Sequence, residues 1–366
     1  MKASYLTLLL ALILVASAGA IAPVAAAPTA EQIYDRHIAA IGGQAKLDAT
    51  NSLIIRGTYS EGGQSFDAAL AKMRPFYKVV GDPNKLSMDF REGYDGSAWE
   101  FYGEPGIVLR TVGPAAAASR HGDYLFGPII DYRAQGSALT LVGETKIAGR
   151  RAYQLRITMM DGFEQDEFIE PSSWLRVASR KVAKVHAFGA DIASETHFSK
   201  YRRVNGVLMA FLDEEVEIAT GKVLSTFETT EIVANQKIDL AAFSPPEFAR
   251  TPVRNFIESI FVQRDDPKSV LWTQFDFRRA HPDIDTDKAA QVAGYHMLKM
   301  SAVTSAVALL EENARQYVKS SGAAFALGRA YRTAGDKGKA RLEFERALKL
   351  DPDNKRTQAA LKDLAP

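Results

Sequence analysis

The stretch "YQLRITM", Tyr153 to Met159, alternates strictly: Tyr153, Leu155, Ile157 and Met159 are apolar, and Gln154, Arg156 and Thr158 between them are polar. A β-strand turns successive side chains to opposite faces, so this segment has one apolar face that something must cover. The same period runs through most of the first 230 residues, with Leu53, Ile55 and Tyr59 in "SLIIRGTY", Phe66, Ala68 and Leu70 in "FDAAL", and Leu86, Met88 and Phe90 in "LSMDF". Further runs of strand character are 98–102, 107–112, 139–147, 152–159, 164–169, 175–186, 194–201, 207–218 and 222–233. Gly62-Gly63, Asp95-Gly96, Asp161-Gly162, Asn205-Gly206 and Thr220-Gly221 mark tight turns between them. About eleven short strands joined mostly by hairpins predict one antiparallel sheet, strongly curved or closed into a barrel.

A sheet of that size needs a cover, and the chain supplies few candidates. One is an amphipathic helix over 30–41, with Ile33, Tyr34, Ile38 and Ile41 on one side and Gly42-Gly43 as its stop. The other is the irregular stretch 115–136, which contains "DYLFGPIIDY". With so little to cover it, the sheet either folds around its own core or encloses a cavity that a small apolar molecule fills.

Regular strand structure stops near "SPPEF", Ser244 to Phe248, and beyond it the period becomes helical. Phe256, Ile260 and Phe261 suggest one helix, and Val270, Leu271 and Phe275 another. Then the chain repeats itself: Gly294 and Gly328, Ala306 and Ala340, and Leu310 and Phe344 are each 34 residues apart, the period of tetratricopeptide repeats. In the second copy Leu327, Gly328, Tyr331, Ala340, Phe344, Ala347 and Pro352 all fit that pattern. Small residues at 328 and 340 let two antiparallel helices approach, while Tyr331 and Phe344 are expected to fill the space between neighbouring repeats. Two repeats are too few to stand alone, so 253–280 is read as an initial helix pair and 355–364 as a closing helix.

The N-terminus has the layout of a secretory signal peptide: Met1-Lys2, an apolar run from Leu6 to Ala16, and small residues in "PVAAA". Removal after Ala26 is expected; an uncleaved anchor is the alternative, because Leu6 to Ala27 carries no charge and is long enough to span a bilayer. Cysteine is absent, which excludes disulfides, a thiolate nucleophile, cysteine metal sites and a lipid-modified N-terminal cysteine. A net charge of +1 gives no basic surplus for nucleic acid. Charge is uneven, however: residues 286–366 hold 14 Lys plus Arg against 9 Asp plus Glu, which favours contact with the more acidic remainder or with an acidic partner. No nucleophile elbow, zinc helix or phosphate-binding glycine loop is present, and His37, His121, His186, His197, His281 and His296 lack ligand spacing. The run "DIDTD", Asp283 to Asp287, lacks the glycine and glutamate of a calcium loop and reads as a helix start capped by Asp285 or Thr286. The expectation is a protein without catalysis, cofactor or metal.

"AKMRPFYKVV", in which Arg74-Pro75 opens a strand, followed by "GYDGSAWEFY" with Asp95-Gly96 and Trp99, resembles successive strands of the bacterial outer-membrane lipoprotein-sorting carriers. The helix preceding "SLIIRGTY" fits the same resemblance. It implies an exported protein with an unclosed β-barrel whose concave apolar face, lidded by helices, holds acyl chains. It also implies that Arg74, before the strand-starting proline, helps hold the lid closed, a role suited to the several fixed donors of a guanidinium.

The fold class expected is therefore α+β: a curved antiparallel sheet or unclosed barrel with a lid helix, followed by an all-α tetratricopeptide-like array. The divisions are a signal peptide at 1–26, a carrier-like β domain at 28–248, a linker and degenerate helix pair at 249–285, and repeats at 286–366. The residues expected to line a ligand site are Leu53, Ile55, Tyr59, Phe66, Leu70, Arg74, Phe90, Trp99, Tyr153, Leu155 and Ile157. The expected ligand is a lipid or lipoprotein acyl chain in the periplasm, with the repeats engaging a protein partner and no nucleic acid. The alternative is an envelope scaffold whose sheet closes on its own side chains. The two differ at the concave face, which is an open groove in the first and packed against a lid in the second.

Overall fold

The computed structural model describes residues 27–74, 76–81, 90–102, 106–112, 116, 120–121, 124–181, 193–247 and 250–364. The leader read at 1–26, the strand positions Leu86 and Met88, and Phe248 at the boundary lie outside them.

Among the described residues thirteen strands form one sheet in the order β6-β5-β4-β3-β2-β1-β15-β14-β11-β10-β9-β8-β7. They are β1 (Ser52–Glu61), β2 (Gln64–Met73), β3 (Phe76–Gly81), β4 (Phe90–Tyr94), β5 (Ala98–Tyr102), β6 (Ile107–Arg110), β7 (Ala138–Ile147), β8 (Arg150–Thr158), β9 (Glu164–Ile169), β10 (Arg176–Lys181), β11 (Ser194–Ser199), β14 (Leu212–Glu217) and β15 (Val223–Ala234). Every pairing is antiparallel, and β6 and β7 remain as two separate edges, so the sheet curves without closing. Register shifts at Arg56/Gly57, Leu141/Gly143, Arg176/Ala178 and Glu215/Val216 add bulges, which bend strands and increase twist. The run read as one strand over 207–218 is two: β13 (Val207–Met209) pairs with β12 (Arg202–Val204) in a separate ribbon, and β14 joins the main sheet.

Helix α1 (Ala30–Ile41) starts at a capping box between Thr29 and Gln32, and the short α2 (Gln44–Asp48) follows it. After a 3₁₀ turn at Leu240–Phe243 come α3 (Pro252–Val262), α4 (Pro267–Ala280), α5 (Asp287–Lys299), α6 (Val303–Gln316), α7 (Ser321–Thr333), α8 (Lys337–Leu350) and α9 (Lys355–Asp363). The small residues of the repeat act as read: a Cβ on Gly294 would come within 2.7 Å of Leu310, and one on Gly328 within 2.6 Å of Phe344. Phe344 thus fills the space inside its own helix pair and also packs with Ala360 and Leu364 of the closing helix. Tyr331 does reach the neighbour, donating its hydroxyl hydrogen to Glu311 at 2.5 Å. The sheet's edge strand enters the helical core, where Ile107 and Leu109 pack with Phe256, Ile260, Ala293 and Met297.

Candidate functional site

Pairing register fixes which side chains share the concave face. Tyr153 lies opposite Ile169, Leu155 opposite Glu167 and Ile157 opposite Gln165; on the other arm Leu53 pairs with Ala234, Ile55 with Ile232 and with Leu70, and Tyr59 with Phe66 and Phe227. Directly paired residues point to one side of a sheet, so these all belong to one trough. Phe90 opens β4, where its backbone pairs with Tyr102.

Half of this trough is apolar and covered. Helix α1 lays Ile33, Tyr34, Ile38 and Ile41, and the stretch 124–136 lays Leu125, Ile129, Ile130 and Tyr132, onto Leu53, Tyr153, Leu155, Ile157 and Ile169. Leu155 and Ile157 are 0% exposed beneath them. The two parts of this lid hold each other: the Tyr34 hydroxyl donates to the Ile130 carbonyl at 3.2 Å, the Tyr132 hydroxyl donates to Glu31 at 2.7 Å, and Arg133 pairs with Glu31. The bond to Tyr132 leads in holding the Glu31 carboxyl below its ordinary range.

At its margins the lid is tied to the sheet by single polar contacts. Arg74 Nε donates to Asp131 Oδ2 at 3.0 Å, which links the start of β3 to the lid. His37 Nδ1 lies 2.8 Å from the Trp174 carbonyl, which can only accept, so Nδ1 carries the hydrogen. Burial pulls this histidine down to about 4. His121 contacts Asp161 at 2.7 Å through Nε2 and the Tyr124 hydroxyl at 2.9 Å through Nδ1, tying the same lid to the β8–β9 turn.

Another part of the trough is polar. Gln165 and Glu167 continue the Leu155 and Ile157 face, Gln165 Nε2 donates to Glu167 Oε1 at 2.9 Å, and Arg176 lies 3.6 Å from Glu167 Oε2. The Arg176 guanidinium also stands 4.0 Å over the ring of Phe198, and its carbonyl accepts from Tyr201 at 2.5 Å. Burial raises Glu167; it also opposes the charge on Arg176, but Glu167, Tyr201 and Asp213 together more than offset that. Burial pushes Asp213, across from Phe198, up to about 6 against the pull of Arg176 and Lys72. Gly127 of the lid seats directly on this group: at φ +95° it has no side chain, and a Cβ there would come within 2.4 Å of Arg176 NH1.

The helical array closes the opposite rim. Glu100 on β5 is shared between Lys299 and His296 of α5, whose other ring nitrogen faces the Arg110 carbonyl at 3.3 Å. Burial alone would raise the Glu100 carboxyl, yet Lys299 and His296 hold it well below the usual range. Glu61 at the far end of β1 accepts from Tyr59 at 2.6 Å; burial raises it, and Tyr59, Arg356 and Arg329 oppose that. Lys222 pairs with Asp363. At Glu100 and Glu61 basic groups of the array thus face acidic groups of the sheet, the contact that the charge imbalance favours, whereas Lys222 and Asp363 pair in the opposite sense.

Of the expected lining residues, Leu53, Ile55, Tyr153, Leu155 and Ile157 lie together beneath the lid. Tyr59 and Phe66, with ring centroids 5.2 Å apart, lie toward the array, and Leu70 lies between the two groups. Trp99 does not join them. It pairs with Gly93 on the opposite face, 1% exposed, and donates from Nε1 to the Phe243 carbonyl of the 3₁₀ turn at 3.0 Å. Gln165, Glu167, Arg176 and Asp213 were missed. The trace of Gln165 and Glu167 in the sequence is "EQDEFI", a strand with polar residues on both faces, which a strand lining an apolar trough should not have.

Residues 321–354 match the family model of the tetratricopeptide repeat. No curated protein sequence matches the chain. Similar solved structures include a DUF1329 family protein from Desulfovibrio piger, at 13% identity and a TM-score of 0.40, covering 60% of this chain and 98% of that one. A LolA superfamily protein from Nitrosomonas europaea is similar at 10% identity and a TM-score of 0.40, over 60% of this chain and 99% of its own. A putative outer membrane lipoprotein-sorting protein domain from Vibrio parahaemolyticus gives 11% identity and a TM-score of 0.38, over 59% and 95%. Among the described residues no helix is long and apolar enough to cross a membrane, and no group of three or more His, Asp or Glu could hold a metal ion.

Proposed function

We propose that this protein is an exported, non-catalytic carrier of the cell envelope that takes up a lipid or lipoprotein acyl chain beneath the lid, while its helical repeats engage a protein partner. The observation that carries the reading is a separate cover over an apolar floor, tied at its margin by single polar contacts such as Arg74–Asp131. Swinging that cover away exposes Leu53, Ile55, Tyr153, Leu155 and Ile157. An acyl chain laid there recovers about 0.8 kcal/mol per buried methylene, so affinity needs no polar site.

The complete burial of Leu155 and Ile157 under interdigitated lid side chains favours a second reading, a scaffold with a permanently closed core. Native mass spectrometry of the protein purified from the envelope fraction, with lipid extraction, separates the two. A carrier shows a stoichiometric acyl species, or takes one up on incubation with lipid. An apo mass that persists after such incubation, in wild type and in Arg74→Ala, supports the scaffold.

A further inference from the structure

The polar end of the trough is more than filler. Gln165 is 4% exposed and Glu167 0% exposed, and Gln165 Oε1 and Glu167 Oε2 are buried acceptors that receive no hydrogen bond. Leaving such acceptors without a donor costs on the order of 1–3 kcal/mol each, so two side by side in a folded interior call for a donor from outside the chain. The neighbours leave both short of a hydrogen bond: the Gln165 amide donates to Glu167 Oε1, and Arg176 meets Glu167 Oε2 only as an ion pair at 3.6 Å. Glu167 and Gln165 sit directly across from Leu155 and Ile157, so the orphaned oxygens border the apolar floor.

We propose that Gln165 and Glu167 receive the hydrogen-bond-donating head group, hydroxyl or ammonium, of an amphiphile whose tail lies on the Leu155–Ile157 floor. This rests on the carrier reading and narrows it: the ligand is oriented, head toward β9 and β10 and tail toward α1. Gly127 covers the head, because its lack of a side chain lets the lid come down over Arg176.

Three probes of equal chain length, dodecylamine, dodecanol and dodecyl methyl ether, test it by competition against a fluorescent acyl probe. The expected result is that the alcohol, the amine or both bind about tenfold more tightly than the ether, which has no donor. Amine above alcohol identifies an ammonium head, and alcohol at or above amine a hydroxyl. In Gln165→Leu the margin of the donors over the ether should shrink, and Glu167→Gln should reduce any preference for the amine; circular-dichroism melting reports whether each variant is folded, with Gln165→Met in reserve. Equal binding of all three by wild type overturns the head-group assignment and leaves the carrier standing, as does a donor preference that survives undiminished in folded Gln165→Leu or Gln165→Met. Failure of all three to bind overturns the carrier reading itself.

Discussion

The lid meets the trough through Ile33, Ile38, Ile129 and Ile130 on Leu53, Leu155 and Ile157, with polar contacts only at its margins, whereas the array meets it through a buried carboxylate, Glu100, shared by Lys299 and His296. Apolar contact is indifferent to which apolar group supplies it, so a ligand tail can stand in for lid side chains. A buried ion pair has no such substitute, and separating it strands charge away from water. Ile107 and Leu109 bind the array further, since they belong to its own core. The contrast assigns the lid to opening and the array to staying put.

The largest break in this contrast is Leu155→Glu, which places a charge at a fully buried position of the floor. It should cost more than about 4 kcal/mol, seen as a collapse of the sheet's transition in urea, while α6 to α8 retain helical circular dichroism. Lys299→Met comes next, because it leaves Glu100 buried without its lysine; about 3–5 kcal/mol is expected, and adding Glu100→Gln should restore part of it in the same titration.

Acid should separate the two covers. His37 is neutral in the fold with a pKa of about 4, while the unfolded chain takes up its proton near 6.5, so its site is undisturbed above pH 6.5 and loses stability as pH falls toward 4, by about 3 kcal/mol in full. The Glu100 carboxylate is depressed, so its contribution is complete above about pH 4.3 and fades only below that. The lid therefore loosens first on acidification, and His37→Gln should flatten the slope between pH 6.5 and 4 in thermal melts. Smaller still is Gly328→Ala, which forces a methyl against Phe344 and should cost about 2 kcal/mol in the array alone. Arg74→Ala should cost about 1 kcal/mol, as partly exposed pairs do, yet it should speed acyl-probe uptake in stopped flow.

Strand alternation located the apolar floor, because a period of two assigns Leu53, Ile55, Tyr153, Leu155 and Ile157 to a face before any pairing is known. It cannot tell concave from convex. Trp99 was misplaced for that reason: the convex side has its own cover at Leu240–Phe243, which buries an aromatic ring just as well. Alternation was equally silent on Gln165 and Glu167, since polar residues on both sides of β9 hide which are buried. The Arg74-Pro75 motif pointed to the lid but not to Asp131, 57 residues away, and Glu100 meets Lys299 across 199 residues. Pairings of that range arise from the fold as a whole and leave no local pattern.

Hydrogen exchange under native conditions tests the division of roles most directly. If the lid opens as a unit, amides of α1 and 124–136 exchange well ahead of those in β8, β9 and α5 to α7, with an opening free energy far below that of global unfolding. If the lid amides exchange only with the β8–β9 floor, through global unfolding, the lid is part of a permanent core and the carrier account is contradicted.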